Sequence, residues 1–91
     1  MKETKMNIVF KESALKHGLN KEQLIYGISN IVKSRRVYNK NFDTYNYWAI
    51  CILPSGATCE LAYMYHNFET MIVFHAMSPA RNNFVRELEK E

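Results

Sequence analysis

Two β-prone runs, residues 47–53 and 57–65, are joined by Pro54, Ser55 and Gly56, and this pairing narrows the fold more than any other feature. Proline presets φ in a tight turn and glycine tolerates φ > 0, so the runs are predicted to form an antiparallel hairpin. A second turn signal, His66-Asn67-Phe68-Glu69, leads into residues 70–77. Their alternation places Ile72, Phe74 and Ala76 on one face and Met71, Val73 and His75 on the other. Residues 6–10 read as a first strand and 35–38 as a short β-prone run. Residues 39–46, rich in Asn with one Asp, read as the longest polar loop.

Helix signals occupy the remainder. Ser13 can cap a short helix through Ala14, Leu15, Lys16 and His17, which Gly18 would end in the left-handed conformation. Asn20 starts a second, where Leu24, Ile28 and Ile31 recur at helical spacing with Ile25 beside them. Gly27 inside it costs about 1 kcal/mol relative to alanine and points to close packing against a strand. Ser78 followed by Pro79 is a start signal for the last helix, with Ala80, Phe84, Val85 and Leu88 as its inward stripe and residues 89–91 expected to fray. The reading is an α+β fold: an antiparallel sheet of three to four strands, with two N-terminal helices and one C-terminal helix packed against it. Ninety-one residues make one domain, 1–91, which buries roughly 60–65% of its unfolded surface.

Composition excludes more than it selects. No apolar run approaches the ~18 residues that span a bilayer, and no export signal is visible, so a cytoplasmic location without membrane is expected. Cys51 and Cys59 fall on neighbouring strands, where a disulfide is geometrically open, but without an export signal they read as reduced core thiols. Their spacing offers no zinc pattern. Glycine-rich phosphate loops, a GxSxG elbow and paired catalytic carboxylates are also absent, which disfavours most enzyme classes and implies no cofactor and no metal. The net charge of +3 permits an RNA partner without demanding one.

Two segments carry the chemistry that remains, Lys16-His17-Gly18 and His75 to Arg81. Each sets a histidine and a cation beside an element boundary, an arrangement suited to phosphate. Histidine titrates near neutral pH and can act as general base or acid within hydrogen-bond reach of a ribose hydroxyl. Capping alone would explain His17, an ordinary strand hydrogen bond His75, and solvation Arg81. Lys33, Arg35, Arg36 and Lys40 form the densest basic cluster, able to track a phosphate backbone or simply to face water. Among six tyrosines, Tyr63 and Tyr65 share a face and could stack bases, although core filling or a protein interface explains them as readily.

The order of Ile8-Val9-Phe10, the segment Ser13-Ala14-Leu15-Lys16-His17-Gly18-Leu19, a hairpin, Ile72-Val73-Phe74-His75-Ala76-Met77 and Arg81 resembles the BrnT-like toxins of type II toxin–antitoxin systems. That family is similar in fold to RelE-type ribonucleases. The resemblance covers nearly the whole chain and implies a cytoplasmic, metal-independent endoribonuclease toxin neutralised by a cognate antitoxin protein. It places Lys16, His17 and Arg81 on the active surface, to which the residue-level reading adds His75. Lys33, Arg35, Arg36, Tyr63 and Tyr65 are then the RNA-binding candidates. A homo-oligomer is compatible with this reading, and a non-catalytic protein- or RNA-binding module of the same fold is the alternative.

Overall fold

Chain order runs β1 (Asn7–Phe10), α1 (Glu12–Leu15), α2 (Lys21–Ile28), β2 (Ile31–Asn39), β3 (Thr44–Ile52), β4 (Thr58–His66), β5 (Thr70–Met77) and α3 (Asn82–Glu89). The structure, a computed structural model, describes residues 7–90. Met6 of the expected first strand and Glu91 of the expected frayed tail lie outside the described residues.

The strands form one five-stranded sheet in the order β1-β5-β4-β3-β2. From β2 to β5 it is an antiparallel meander, but β1 lies parallel to β5, with Asn7 opposite Thr70 and Phe10 opposite Val73. The expected antiparallel sheet of three to four strands is therefore corrected to a mixed sheet of five. Parallel pairing requires a long connection rather than a hairpin, and here the chain between the paired strands runs through two helices and the whole meander. The missing length of β2 has a local cause. Ile31 sits at helical spacing from Leu24, yet α2 ends at Ile28 with Ser29 as its cap residue, and the Asn30 carbonyl accepts from the Ile52 amide across the sheet. Ile31 and Val32, both β-branched, then open the strand.

Most turn signals act where the sequence places them. Gly56 adopts φ +89° in the β3–β4 turn, which the Gly56 amide closes onto the Leu53 carbonyl. Gly18 takes φ +85° after α1. Asn20 and Gln23 form a reciprocal capping box at the start of α2. Ser13 does not cap α1, whose preceding residue is Lys11; its hydroxyl donates to the Phe74 carbonyl instead. The expected long polar loop shrinks to residues 40–43, because Tyr38 pairs with Tyr45 and Asn39 with Thr44.

The helices do not share one face of the sheet but sandwich it. Alternation along β3 explains why: Ala49 and Cys51 point one way, Trp48 and Ile50 the other, and all four are apolar. Ala14 of α1 and Leu24 of α2 join Cys51, Cys59, Leu61, Val73 and their neighbours in the main core. A Cβ at Gly27 would lie 2.6 Å from the Cys51 Sγ, so the glycine is what lets α2 approach β3. On the opposite face, the one that also carries Phe74, Phe84 and Leu88 of α3 pack against Ile50 and Trp48. Among the described residues no helix is long and apolar enough to cross a membrane.

Candidate active site

Strict alternation along β5 would put His75 on the same face as Met71 and Val73. A bulge prevents it. Ala62 pairs with His75 but Tyr63 pairs with Val73, leaving Phe74 without a partner on β4. The extra residue turns Ala76 into the main core and His75 to the opposite face, where a bulge next to a functional group is a recurrent device. The expected face assignment of Ala76 and His75 is thus exchanged. Ser13, through its bond to the Phe74 carbonyl, ties α1 to the bulge.

Beneath His75 lies Glu60 of β4, whose side chain is 0% exposed. A buried carboxylate must be paired, and this one is paired four times. His75 Nε2 lies 2.6 Å from Oε2, the Arg81 guanidinium donates to both oxygens at 3.2 and 2.7 Å, and the Arg81 backbone amide donates to Oε1 at 2.8 Å. Burial pushes the Glu60 carboxyl up. The hydrogen bonds from the Arg81 side chain and backbone and from His75, with the Arg81 charge, outweigh that and hold it below its ordinary value. An ionised carboxylate only accepts, so the proton between the pair sits on His75 Nε2 and leaves Nδ1 as the nitrogen that can take one up.

Arg81 precedes α3 as its cap residue, so the helix starts later than the Ser78-Pro79 signal predicts. Residues 78–80 are held to β4 before the helix starts: the Ser78 hydroxyl donates to the Thr58 carbonyl and the Ala80 amide to the Thr58 hydroxyl. Arg81 is clamped to Glu60 along one edge while its side chain remains 59% exposed. His17 completes the group, its ring edge against His75 with centroids 6.1 Å apart.

No known protein family, curated protein or solved structure matches the chain.

Ser13, Lys16, Trp48, Ala62, Phe74, His75, Arg81 and Phe84 line an open groove of about 510 Å³. Trp48 stacks on Phe84 at 5.4 Å, and Phe84 lies flat beside the His75 ring at 6.3 Å. Such a groove sets a titratable imidazole and two cations over an aromatic floor. It can exchange a proton and hold an anion at one place. Among the described residues no group of three or more His, Cys, Asp or Glu is placed to hold a metal ion.

The four residues singled out for chemistry, Lys16, His17, His75 and Arg81, thus meet at one end of the sheet. The five RNA-binding candidates do not. Tyr63, 5% exposed, is stacked on Tyr47 within the main core, with Tyr65 edge-on to both. Burial, then the neighbouring Tyr65 and Tyr47, pushes the Tyr63 hydroxyl up to about 12. Arg36 lies over the Tyr45 ring, whereas Arg35 reaches the Glu87 carbonyl at the end of α3, and Lys33 is exposed. Neighbours along β2 point to opposite faces, which splits the cluster. Glu60 was not among the expected site residues. Its one signal is a lone carboxylate between Cys59 and Leu61 in an otherwise uncharged strand.

Proposed function

We propose that this chain is a metal-independent endoribonuclease acting in the cytoplasm at the groove over His75, and that it belongs to a toxin–antitoxin pair, as its resemblance to BrnT-like toxins implies. The observation that carries the reading is the buried Glu60 holding His75 and Arg81 together beside Lys16 and His17. In the reaction His75 Nδ1 takes the proton of a ribose 2′-hydroxyl, and the oxygen attacks the adjacent phosphorus. The bond to the 5′-oxygen breaks, yielding a 2′,3′-cyclic phosphate, and His17 in its protonated form supplies the proton to the leaving oxygen. Arg81 and Lys16 stabilise the charge that builds on the phosphoryl oxygens. Glu60 fixes the tautomer and orientation of His75 without touching the substrate, the part a buried carboxylate plays in hydrolytic triads.

Growth on induction in a host lacking any antitoxin, with RNA cleavage in vitro in the presence of chelator, tests this. The wild type should arrest growth and cut RNA, and His75→Ala and Arg81→Ala should do neither. Equal growth and negligible cleavage for all three would leave a binding module in its place.

A further inference from the structure

The groove does not end at Phe74. The same ring borders a second depression of about 200 Å³, shared with Asn39, Phe42, Asn46 and Met64. The register shows how the two join. Trp48 pairs with Ala62 and Ala62 with His75, while Asn46 lies two residues from Trp48 on the same face of β3. Two residues of strand span about 7 Å, so Asn46 lies one short step from Trp48 of the groove, and Phe74, the neighbour of His75 in sequence, lines both depressions on the half of this face that α3 leaves uncovered.

We infer that this depression seats the base of a nucleotide flanking the cut phosphate, making unpaired RNA the substrate; the seat deepens the ribonuclease reading and rests on it. Phe42 is 76% exposed, an aromatic ring with no core to fill. The turn that carries it is tied down at the backbone and at its far side. The Phe42 amide closes onto the Asn39 carbonyl, and the Tyr38 hydroxyl donates to Asp43 at 2.5 Å across the turn. A ring presented at the lip of an apolar floor of Phe74 and Met64 is the arrangement that stacks a base, and stacking tolerates any base because each has a π-face. The polar wall adds discrimination. Asn46 makes no side-chain hydrogen bond among the described residues, and Asn39 spends only its carbonyl oxygen, on the Asn41 amide. A carboxamide left free beside a stacked base can read that base's edge with a donor and an acceptor together. Single strands leave the Watson–Crick edge and the face of a base open, whereas an A-form duplex takes up that edge in pairing, stacks the faces and closes its major groove to side chains.

The test is fluorescence anisotropy with short single-stranded RNAs of varied sequence and with a duplex of matched length. It uses the wild-type chain, Phe42→Ala and Asn46→Ala, all under conditions that block turnover by 2′-O-methylation of the RNA. Phe42→Ala should weaken binding to every single strand by about 5-fold or more. Asn46→Ala should flatten the differences between sequences, and the duplex should bind more weakly than any single strand. Thermal melting checks that the variants remain folded. If neither variant alters single-strand binding, or the duplex binds as tightly, the inference is overturned and this face is left for a protein partner. Because binding is read without cleavage, failure of the seat and failure of the ribonuclease proposal give different results.

Discussion

The two faces of the sheet are built from the same strands to opposite ends. Under α1 and α2 the face is closed over most of its area: Leu24, Cys51, Cys59, Leu61 and Val73 are completely buried and Tyr63 packs with them, while half-buried Tyr47 and Tyr65 line an open depression of about 300 Å³ at its far end. The face under α3 is half covered, with a small core of Ile50, Phe84 and Leu88 and an ionised carboxylate, a histidine and an arginine beside it. Closed apolar packing contributes about 25 cal/mol per Å² removed from water and asks only for volume and shape. A buried charge asks for partners, and it stays only because four hydrogen bonds are aimed at it. Stability is thus concentrated on one face and polar geometry on the other.

The sharpest way to break this comparison is to disable each face and read both outputs. His75→Ala should lower RNA cleavage by about 10²–10⁴-fold at a smaller stability cost than a core truncation, since three of the four hydrogen bonds to Glu60 remain. Leu24→Ala should do the reverse, costing about 2–5 kcal/mol while leaving the chemistry of the folded fraction intact. If His75→Ala proves as destabilising as Leu24→Ala, the polar group is a structural part of the fold and the division of labour fails.

Phe84 stands on the boundary, since it is core to α3 and floor to the groove. Phe84→Ala should cost about 3–5 kcal/mol in a denaturant titration. A loss under ~1 kcal/mol would show instead that α3 is a peripheral cover.

On the closed face the tightest approach is Gly27 against Cys51. Alanine favours a helix over glycine by about 1 kcal/mol, but the clash with a buried sulfur should reverse the sign and cost about 1–3 kcal/mol. Adding Cys51→Ala should recover part of the loss. Additive penalties in the double variant would place the origin of the effect elsewhere.

The smallest expected effect is electrostatic. The Glu60 carboxyl is held below its ordinary value in the folded chain, so its stabilising contribution is complete above about pH 4.3, where the unfolded carboxyl titrates. That contribution is lost as pH falls through the lower folded value. Stability of the wild type relative to Glu60→Gln should therefore shrink on acidification below about pH 4.3, as followed by thermal melts. A difference that grows with acid would mean the carboxyl is protonated in the fold.

Local chemistry alone determined much of this molecule. Pro54-Ser55-Gly56 sets the hairpin, Asn20 caps α2, Gly18 ends the turn after α1, and Gly27 marks the close approach, because each effect depends on a dihedral or a contact that one residue type permits. Lys16, His17, His75 and Arg81 were legible as candidates because titratable and charged groups at element boundaries stand out in a chain with few other reactive motifs. Tertiary structure decided the rest. Alternation is a local rule, and the bulge at Phe74, which depends on how β4 and β5 register, shifts its phase by one and puts His75 on the polar face. Pairing of β1 with β5 joins residues more than sixty positions apart, which no window of sequence contains. Glu60 could be seen as a lone charge in a strand, but only the fold brings Arg81 and His75 to it, and a carboxylate far from water takes its character from those partners.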